Sequence, residues 1–330
     1  GSEMCIRDRL YKMSIFKLDP AFKDYIWGGT RLRDEYGKKC DYDKVAESWE
    51  LSCHKDGPSV VADGEYKGLT LNEYIEKAGK GVLGKNCERF ENFPILIKLI
   101  DAKDNLSVQV HPDNDYAMRV EGEYGKTEMW YVVDCDEGAT LLYGFKHEIT
   151  KEEFARRIAD NTLLEVTNAV PVKKGDVFFI KSGTLHAIGK GILIAEIQQN
   201  SNTTYRIYDY GRVGKDGKPR ELHVNKALDV TKLAPAEQYP ETPVEKKDGY
   251  DIKLLSKCEY FTTYRVNVET KAELDADENS FNSILVLEGE PVISGGETVS
   301  AKKGESVFIS AGTGKYTVEG KCTFVLTKID

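Results

Sequence analysis

The chain has 330 residues, of which 40% are hydrophobic and 31% are charged, and its formal net charge is −9 at pH 7. This composition is typical of a globular protein, and no apolar run approaches the ~20 residues that cross a bilayer. The acidic balance, without a continuous basic stripe, argues against nucleic acid or an anionic membrane as a partner. An anionic small molecule remains compatible with it if Lys and Arg side chains gather locally.

The first 12 residues are typical of a cloning remnant, and Met13 begins a more natural N-terminus. They lack the apolar segment of a secretion signal. The seven cysteines are scattered and odd in number, which indicates free thiols in a reducing compartment. We therefore expect a cytoplasmic protein that begins at Met13.

Short β-branched and alternating runs dominate the chain, with Gly, Asp and Asn between them. In chain order they are PSVVADG, NFPILIKLID, NLSVQVH, MWYVVDC, ATLLYGF, GDVFFIK, GILIAEIQQ, YFTTYRVNV, SILVLEG, SVFISA and CTFVLTKI. This pattern predicts a mainly β fold, a sandwich or barrel of antiparallel strands, with few helices.

Helical spacing of apolar residues occurs in only a few places. Residues 70–80 have it after Thr70, which is a suitable N-cap. Residues 150–168 begin with Thr150 and Glu153, the spacing of a capping box. We expect a helix in each range.

Residues 234–250 are rich in Pro and charge and have no apolar periodicity, which predicts a domain boundary. An internal repeat crosses it, because KGDVFFIKSGTLH (174–186) is matched by KGESVFISAGTGK (303–315). The repeated shape resembles the second motif of a cupin, with His186 replaced by Lys315. We expect a cupin-like jelly-roll catalytic domain at 13–235, a linker at 236–250, and a smaller β-sandwich or half-cupin domain at 251–330 that lacks the metal site.

The stretch SVQVHPD (107–113) places Gln109 and His111 on one strand face, because residues two apart point to the same side. A solvated strand edge and half of a metal site both explain this pattern. His186 and Glu128, each beside a predicted strand, are the further donors, although an isolated Glu is often only an exposed turn residue. Imidazole and carboxylate ligands suit zinc, and an amide ligand makes a redox-active iron site less favoured without excluding one.

Several longer motifs, in the right order, resemble the type I phosphomannose isomerases, and more narrowly their short bacterial form. They are YIWGG, SWELS, NFPILIKLIDAKDNLSVQVHPD, GKTEMWYVVD and SGTLHAIGKGILIAEIQQNSNTTYRIYDYGR. The resemblance runs from about residue 16 to about residue 230. It implies a cupin-type fold, one Zn²⁺ per chain, and interconversion of the sugar phosphates D-mannose 6-phosphate and D-fructose 6-phosphate through an enediol.

Carried over position by position, the resemblance implies metal ligands at Gln109, His111, Glu128 and His186. It implies catalytic residues at Arg206, Lys126 and Glu196. It implies substrate-binding residues at Lys98, Ser107, Trp27 and Glu50. Of Glu47 and Glu50, which flank Trp49, we expect one to be merely solvated.

Aldose–ketose isomerisation needs a base, an acid that opens the ring, and a group that stabilises the developing oxyanion. Lys126, Glu196 and Arg206 can fill these roles, and the base is either Glu196 or Lys126. A lysine serves as the base only if its pKa is lowered. For the phosphate, we expect Lys98, Lys126, Arg206 and Arg212 to converge on one pocket.

The sequence departs from the family pattern in two places. Gly125 and Thr127 stand where the family has His and Pro around the lysine, and Asn202 stands where many members have Asp. A proton-transfer role of that Asp therefore cannot be carried over. These departures leave a non-catalytic, metal-containing sugar-phosphate-binding or regulatory cupin as the alternative. A cupin oxygenase or epimerase is disfavoured by Gln109.

Overall fold

The computed structural model describes residues 14–330, so the predicted cloning remnant lies outside the described residues. The chain divides into two compact units. The larger unit comprises residues 21–57 and 95–241, and the smaller unit comprises residues 14–20, 58–94 and 242–330. The predicted catalytic domain was continuous, from residue 13 to residue 235. In the structure, residues 14–20 and 58–94 belong instead with the C-terminal strands.

The described residues contain 23 strands and few helices, as the sequence predicts. The strands are β1 Ile15–Asp19, β2 Ala21–Lys23, β3 Glu47–Leu51, β4 Val60–Val61, β5 Ile95–Ala102, β6 Val108–Val110, β7 Glu128–Cys135, β8 Thr140–Phe145, β9 Thr167–Pro171, β10 Val177–Ile180, β11 His186–Ala187, β12 Ile192–Gln199, β13 Tyr205–Tyr208, β14 Val244–Lys247, β15 Tyr250–Lys257, β16 Thr262–Val268, β17 Lys271–Ala276, β18 Asn282–Gly289, β19 Val292–Gly295, β20 Glu297–Ser300, β21 Ser306–Ile309, β22 Gly314–Glu319 and β23 Cys322–Lys328. The α-helices are α1 Arg31–Asp34, α2 Leu71–Ala78, α3 Asn114–Val120, α4 Lys151–Ala159 and α5 Val224–Val230, and 3-10 turns occur at Lys80–Leu83, Lys85–Cys87 and Leu163–Glu165.

Two antiparallel sheets form the larger unit. One has the order β10-β7-β12-β5-β3-β2 and the other has the order β13-β6-β11-β8-β9. Apolar side chains from both sheets, among them Ile100, Trp130 and Tyr143, form one buried cluster between them. This is the jelly-roll arrangement that the sequence predicts for the catalytic part of the chain.

The smaller unit also consists of two antiparallel sheets. Their orders are β14-β15-β16-β23-β18-β21-β1-β4 and β17-β22-β19-β20. Its core is apolar and includes Val266, Phe324 and Val318. β14 lies inside the predicted linker 236–250 and pairs with β15, so part of that segment is a strand.

The internal repeat is a structural repeat. β10 and β21 occupy equivalent positions of the two copies. β10 pairs with β7, which pairs with β12, and β21 pairs with β18, which pairs with β23. Gly183 and Gly312 have φ angles of 86° and 81°, a left-handed conformation that favours glycine at the turn of each copy. Lys315, at the position equivalent to His186, is exposed on β22.

Both predicted helices form, and one is shorter than expected. The Thr70 and Glu73 capping box begins α2. At α4 the Thr150 hydroxyl accepts the backbone N–H of Glu153, as its spacing predicts, but the helix ends at Ala159. Asn161, with φ of 56°, then turns the chain into a 3-10 turn and β9.

No helix within residues 14–330 is both long and apolar enough to cross a membrane.

Candidate active site

Strand register in the larger unit brings three predicted site residues side by side. In β6, Gln109 lies opposite His186 of β11 on one side and opposite Arg206 of β13 on the other. Directly opposed residues of antiparallel strands project from the same face of the sheet. Gln109, His186 and Arg206 therefore share one face, and His111 follows just beyond the end of β6.

Three side chains converge at this position. The Nε2 atoms of His111 and His186 are 3.1 Å apart. Glu128, the first residue of β7, places Oε2 3.6 Å from His111 Nε2 and Oε1 3.4 Å from His186 Nε2. All three are buried, and they are the one group of three or more His, Cys, Asp or Glu side chains in residues 14–330 that is arranged to hold a metal ion.

Backbone carbonyls determine which imidazole nitrogens face the cluster. Nδ1 of His111 is 3.0 Å from the carbonyl oxygen of Thr203, and Nδ1 of His186 is 2.8 Å from that of Thr184. A carbonyl only accepts, so each Nδ1 carries the proton and each Nε2 presents a lone pair. Carbonyl-held imidazoles of this kind are typical of metal ligands.

Burial keeps both imidazoles neutral. It lowers the pKa of His186 to about 4, and burial together with Lys126 holds the pKa of His111 well below its usual value. Burial and Glu196 raise the pKa of Glu128 to about 7. The Glu128 carboxylate is paired with the Lys126 ammonium through Oε2, and its Oε1 has no hydrogen-bond partner within the described residues. A buried carboxylate oxygen without a hydrogen bond, beside two imidazole lone pairs, fits a cation.

A line of alternating buried charges extends from Glu128. Lys126 Nζ lies 3.0 Å from Glu128 Oε2 and 3.7 Å from Glu196 Oε1. Lys98 Nζ lies 3.7 Å from the same Glu196 oxygen and 3.4 Å from Glu47 Oε2. Three carboxylates against two ammonium groups leave one negative charge in excess, which a divalent cation would offset.

Lys126 does not meet the condition of a lowered pKa that a lysine base requires. Burial lowers the pKa of this ammonium, but Glu128 and Glu196 more than offset that effect and raise it above its usual value. Burial raises the pKa of Glu196, but Lys126, Lys98 and a hydrogen bond from Trp130 outweigh it, so the pKa of Glu196 is lowered. The pair is therefore a carboxylate and an ammonium at neutral pH.

Of the two glutamates that flank Trp49, Glu47 contacts the line of buried charges, whereas the resemblance had implied Glu50 as the substrate residue. The indole N–H of Trp49 donates to Glu47 at 2.7 Å, and this carboxylate contacts Lys98. Glu50 points elsewhere, because its carboxylate lies 2.6 Å from Lys38 Nζ and accepts the Ser48 hydroxyl. Both glutamates are buried, so the expectation that one is solvated is wrong.

The remaining predicted substrate residues occupy different surroundings. Lys98 lies within the charge line, with its ammonium 4.7 Å from the centre of the Trp49 ring. Ser107 is buried just before β6. Trp27 packs in the hydrophobic core of the larger unit, 5.7 Å from the Tyr25 ring.

The four basic residues expected to converge each have their own partners. Lys98 and Lys126 meet at Glu196. Arg206 donates to the Glu221 carbonyl oxygen, and Arg212 donates to Asp209 and to the Asn105 carbonyl oxygen. Arg206 shares the face of Gln109, whereas Arg212 is bound to a structural carboxylate.

Asp209 joins Arg212 and Arg220 through hydrogen bonds of 2.6–2.8 Å. Burial raises its pKa, but these two guanidinium groups outweigh burial and lower it. A depressed folded-state pKa stabilises the protein above the unfolded-state value, about 3.9, and this contribution is lost as the pH falls through the folded-state pKa. Asp209→Asn should therefore lower the free energy of unfolding by about 1–3 kcal/mol at pH 7, and by less below about pH 4.

Urea midpoints of the parent and of Asp209→Asn, measured from pH 7 to pH 3, check this expectation. A difference that does not narrow at acid pH would show that the carboxylate charge is not what stabilises this part of the fold.

Gly125 occupies a position with no room for a side chain. A Cβ atom there would lie 2.3 Å from the backbone carbon of Asp113 and 2.7 Å from the Pro112 carbonyl oxygen, so the backbone would have to shift. The next residue, Lys126, donates its backbone N–H to that same Pro112 oxygen. A histidine, which the family that the chain resembles has here, would therefore not fit.

We expect Gly125→Ala to lower the free energy of unfolding by about 1–3 kcal/mol, because backbone cannot yield as a side chain can. Gly214→Ala is the control, since its Cβ would meet only a carboxylate oxygen at 3.1 Å as its nearest neighbour. Chemical denaturation of both variants checks this. Equal midpoints for Gly125→Ala and the parent would contradict it.

The fold and site together define a two-unit cupin protein, one unit of which has a cluster of His and Glu side chains arranged as metal ligands are. The family model "Phosphomannose isomerase type I, catalytic domain" matches residues 15–138, and "Mannose-6-phosphate isomerase, cupin domain" matches residues 251–329. The chain is 40% identical to the mannose-6-phosphate isomerase of Streptococcus mutans over 86% of this chain and 88% of the relative. It is 39% identical to mannose-6-phosphate isomerase ManA of Bacillus subtilis over 94% and 97% of the two chains.

Solved structures give the same result. The crystal structure of mannose 6-phosphate isomerase from Bacillus subtilis superposes with a TM-score of 0.90 at 38% identity, covering 95% of this chain and 99% of that chain. The apo form of the Salmonella typhimurium enzyme shares the fold, with a TM-score of 0.75 at 17% identity over 96% and 99% of the two chains. The chain belongs to the type I phosphomannose isomerase family.

Proposed function

We propose that the chain is a zinc-dependent aldose–ketose isomerase that interconverts D-mannose 6-phosphate and D-fructose 6-phosphate. The observation that carries this proposal is the cluster of His111, Glu128 and His186 beside a line of buried lysine and glutamate side chains. Relatives of similar length that are named for this activity support it. The substrate is a sugar phosphate, and neither nucleic acid nor a membrane is a partner.

His111, Glu128 and His186 would hold one Zn²⁺ per chain, with Gln109 as the fourth ligand. Support for Gln109 comes from its register opposite His186 and from its position two residues before His111. Two neutral imidazoles and a carboxylate form a donor set that zinc prefers. When bound, the ion would supply electrophilic polarisation of the substrate oxygens at C1 and C2.

Glu196 is the base that transfers a proton between C2 and C1 through the enediol. Its Oε2 accepts the Trp130 indole N–H at 2.9 Å, whereas its Oε1 accepts no hydrogen bond. Oε1, which the ammonium groups of Lys126 and Lys98 approach to 3.7 Å, is the atom that would take the proton. Lys126, held as an ammonium between two carboxylates, is suited to donate to a substrate oxygen rather than to abstract a proton.

Arg206 serves as a fixed cation for the oxyanion or the phosphate, because a guanidinium stays charged in a protein. Its Nε atom is buried and has no hydrogen-bond partner in the described structure, so this N–H is unsatisfied without a substrate. Lys98 orients the sugar from the other side of Glu196. Ser107, Trp27 and Glu50 remain predicted substrate residues.

A coupled assay that follows fructose 6-phosphate formed from mannose 6-phosphate tests the proposal. We expect turnover that a chelator abolishes and Zn²⁺ restores. No turnover with zinc fully loaded would overturn the proposal and favour a non-catalytic sugar-phosphate-binding cupin. Restoration by Fe²⁺ and not by Zn²⁺ would overturn the choice of zinc as the metal.

A further inference from the structure

The loop between β12 and β13 supplies the carbonyl that holds His111. Thr203 accepts the Nδ1–H of His111 through its carbonyl oxygen, and Nε2 is thereby directed at Glu128 and His186. The position of this carbonyl decides which His111 nitrogen carries the proton and where the other points. Whatever fixes this loop therefore contributes to the site.

One carboxylate binds three consecutive residues of that loop. Oε2 of Glu123, which lies beyond the end of α3, accepts the Thr203 hydroxyl at 2.8 Å, the Asn202 backbone N–H at 3.3 Å and the Ser201 hydroxyl at 3.4 Å. Oε1 accepts a hydrogen bond from the Nε2–H of His54, with 2.5 Å between the two atoms. These contacts outweigh half-burial and lower the pKa of Glu123 to about 2, so the acceptor is ionised at neutral pH.

His54 is itself fixed by its surroundings. Its side chain is 4% exposed, and its ring meets the Trp49 ring edge-on with 5.7 Å between centres. The backbone N–H of Asp56 donates to its Nδ1 at 3.1 Å. Nδ1 is therefore the acceptor, and Nε2 carries the N–H that points at Glu123.

The same contacts account for the departure at position 202. The Asn202 side-chain amide donates to the Asp56 carboxylate at 3.0 Å, and its backbone N–H donates to Glu123. An aspartate at 202 would bring a third carboxylate beside these two, which is unfavourable. Asn202 is complementary to the acidic pair that anchors the loop.

We propose that Glu123 and His54 are positioning residues of the metal site. They hold residues 201–203 so that the Thr203 carbonyl keeps His111 in the tautomer that presents Nε2. This inference rests on the proposed metal site at His111, and it assigns both residues a role through Thr203 rather than in contact with substrate.

The test uses the full chain, Zn²⁺ and a competing chelator at equilibrium. We expect Glu123→Gln to weaken Zn²⁺ binding about 10-fold, the lower end of what lost support of a ligand typically costs. Thr203→Val keeps the carbonyl and the side-chain shape but loses the hydroxyl bond to Glu123, so it should weaken binding several-fold. The double variant should lose less than the product of the two effects, because both changes break the same contact.

Glu121→Gln is the matched control. Glu121 is two residues away, is 25% exposed against 24% for Glu123, and binds Tyr205 and Lys226 instead of the loop. Its replacement should leave the Zn²⁺ affinity within about twofold of the parent, a change far below the 10-fold expected for Glu123→Gln.

A second measurement needs no metal. Long-range ¹H–¹⁵N spectra of the zinc-free chain, with the His111 signals assigned by a His111 variant, report which nitrogen carries the proton. We expect Nδ1–H in the parent and a mixture of tautomers in Glu123→Gln.

The outcomes separate this inference from the proposed function. If Glu123→Gln binds Zn²⁺ as the parent does and keeps the His111 Nδ1–H, the inference is overturned, even if the variant unfolds at lower urea. If the parent takes up no Zn²⁺ but Glu123→Gln still shifts the His111 tautomer, the zinc proposal fails and the positioning role stands.

Discussion

His186→Ala is expected to lose its bound zinc and, with it, turnover. The substitution removes one of the three convergent His and Glu donors and leaves His111, Glu128 and the proposed amide ligand Gln109. A set with one imidazole fewer holds a zinc ion far more weakly. Since loss of support around a ligand already costs about 10–100-fold in affinity, loss of the ligand itself should cost more than about 100-fold. Metal analysis after dialysis, with the isomerase assay on the same samples, measures both effects.

The control for this variant is His147→Ala. His147 is exposed just beyond β8, so its replacement tests whether loss of any histidine affects zinc content. Because His186 is buried, the urea midpoint of the zinc-free variant should be measured as well. One zinc per chain with full activity in His186→Ala would show that the metal site is wrongly assigned.

Glu196→Gln is expected to keep its zinc and lose roughly 10²–10⁴ in kcat, the usual contribution of a positioned general base. The amide retains the shape of the carboxylate and can still accept the Trp130 indole N–H. It cannot take a proton from C2. Exchange of the substrate C2 hydrogen with solvent deuterium should fall together with turnover.

Glu121→Gln again serves as the control, because Glu121 is a partly buried glutamate at the end of α3 that binds Tyr205 and Lys226 rather than the charge line. If Glu196→Gln kept kcat within about threefold of the parent, Glu196 would not be the base. Lys126 would then have to be reconsidered for that role.

The sequence predicted the mainly β architecture and the repeat because both depend on local signals. Alternating apolar runs specify strands, and glycines such as Gly183 and Gly312 mark the same turn in both copies. Convergence of His111, Glu128 and His186 came from motif order and from family resemblance together. None of these inferences required knowing which strands pair when they lie far apart in the chain.

Two features depend on which strands pair across long stretches of the chain. They are the division into units and the choice of Glu47, not Glu50, as the glutamate that faces the site. β1 belongs to the smaller unit because it pairs with β21, far along the chain, and no local pattern reports such a partner. β3 is buried at all five positions, so alternation cannot show which of Glu47 and Glu50 faces the site. Opposite faces of a strand look alike when both are covered.

The pairing of β1 with β21 affects the order in which a nascent chain can fold. The backbone N–H of Ser14 donates to the side chain of Ser310, 296 residues later. At roughly 5–20 residues per second, a ribosome needs about 15–60 s to produce that partner. All residues of the larger unit emerge within this interval, so the larger unit can close first. β1 can pair early with β4, but it lacks its other partner, β21, until synthesis is nearly complete.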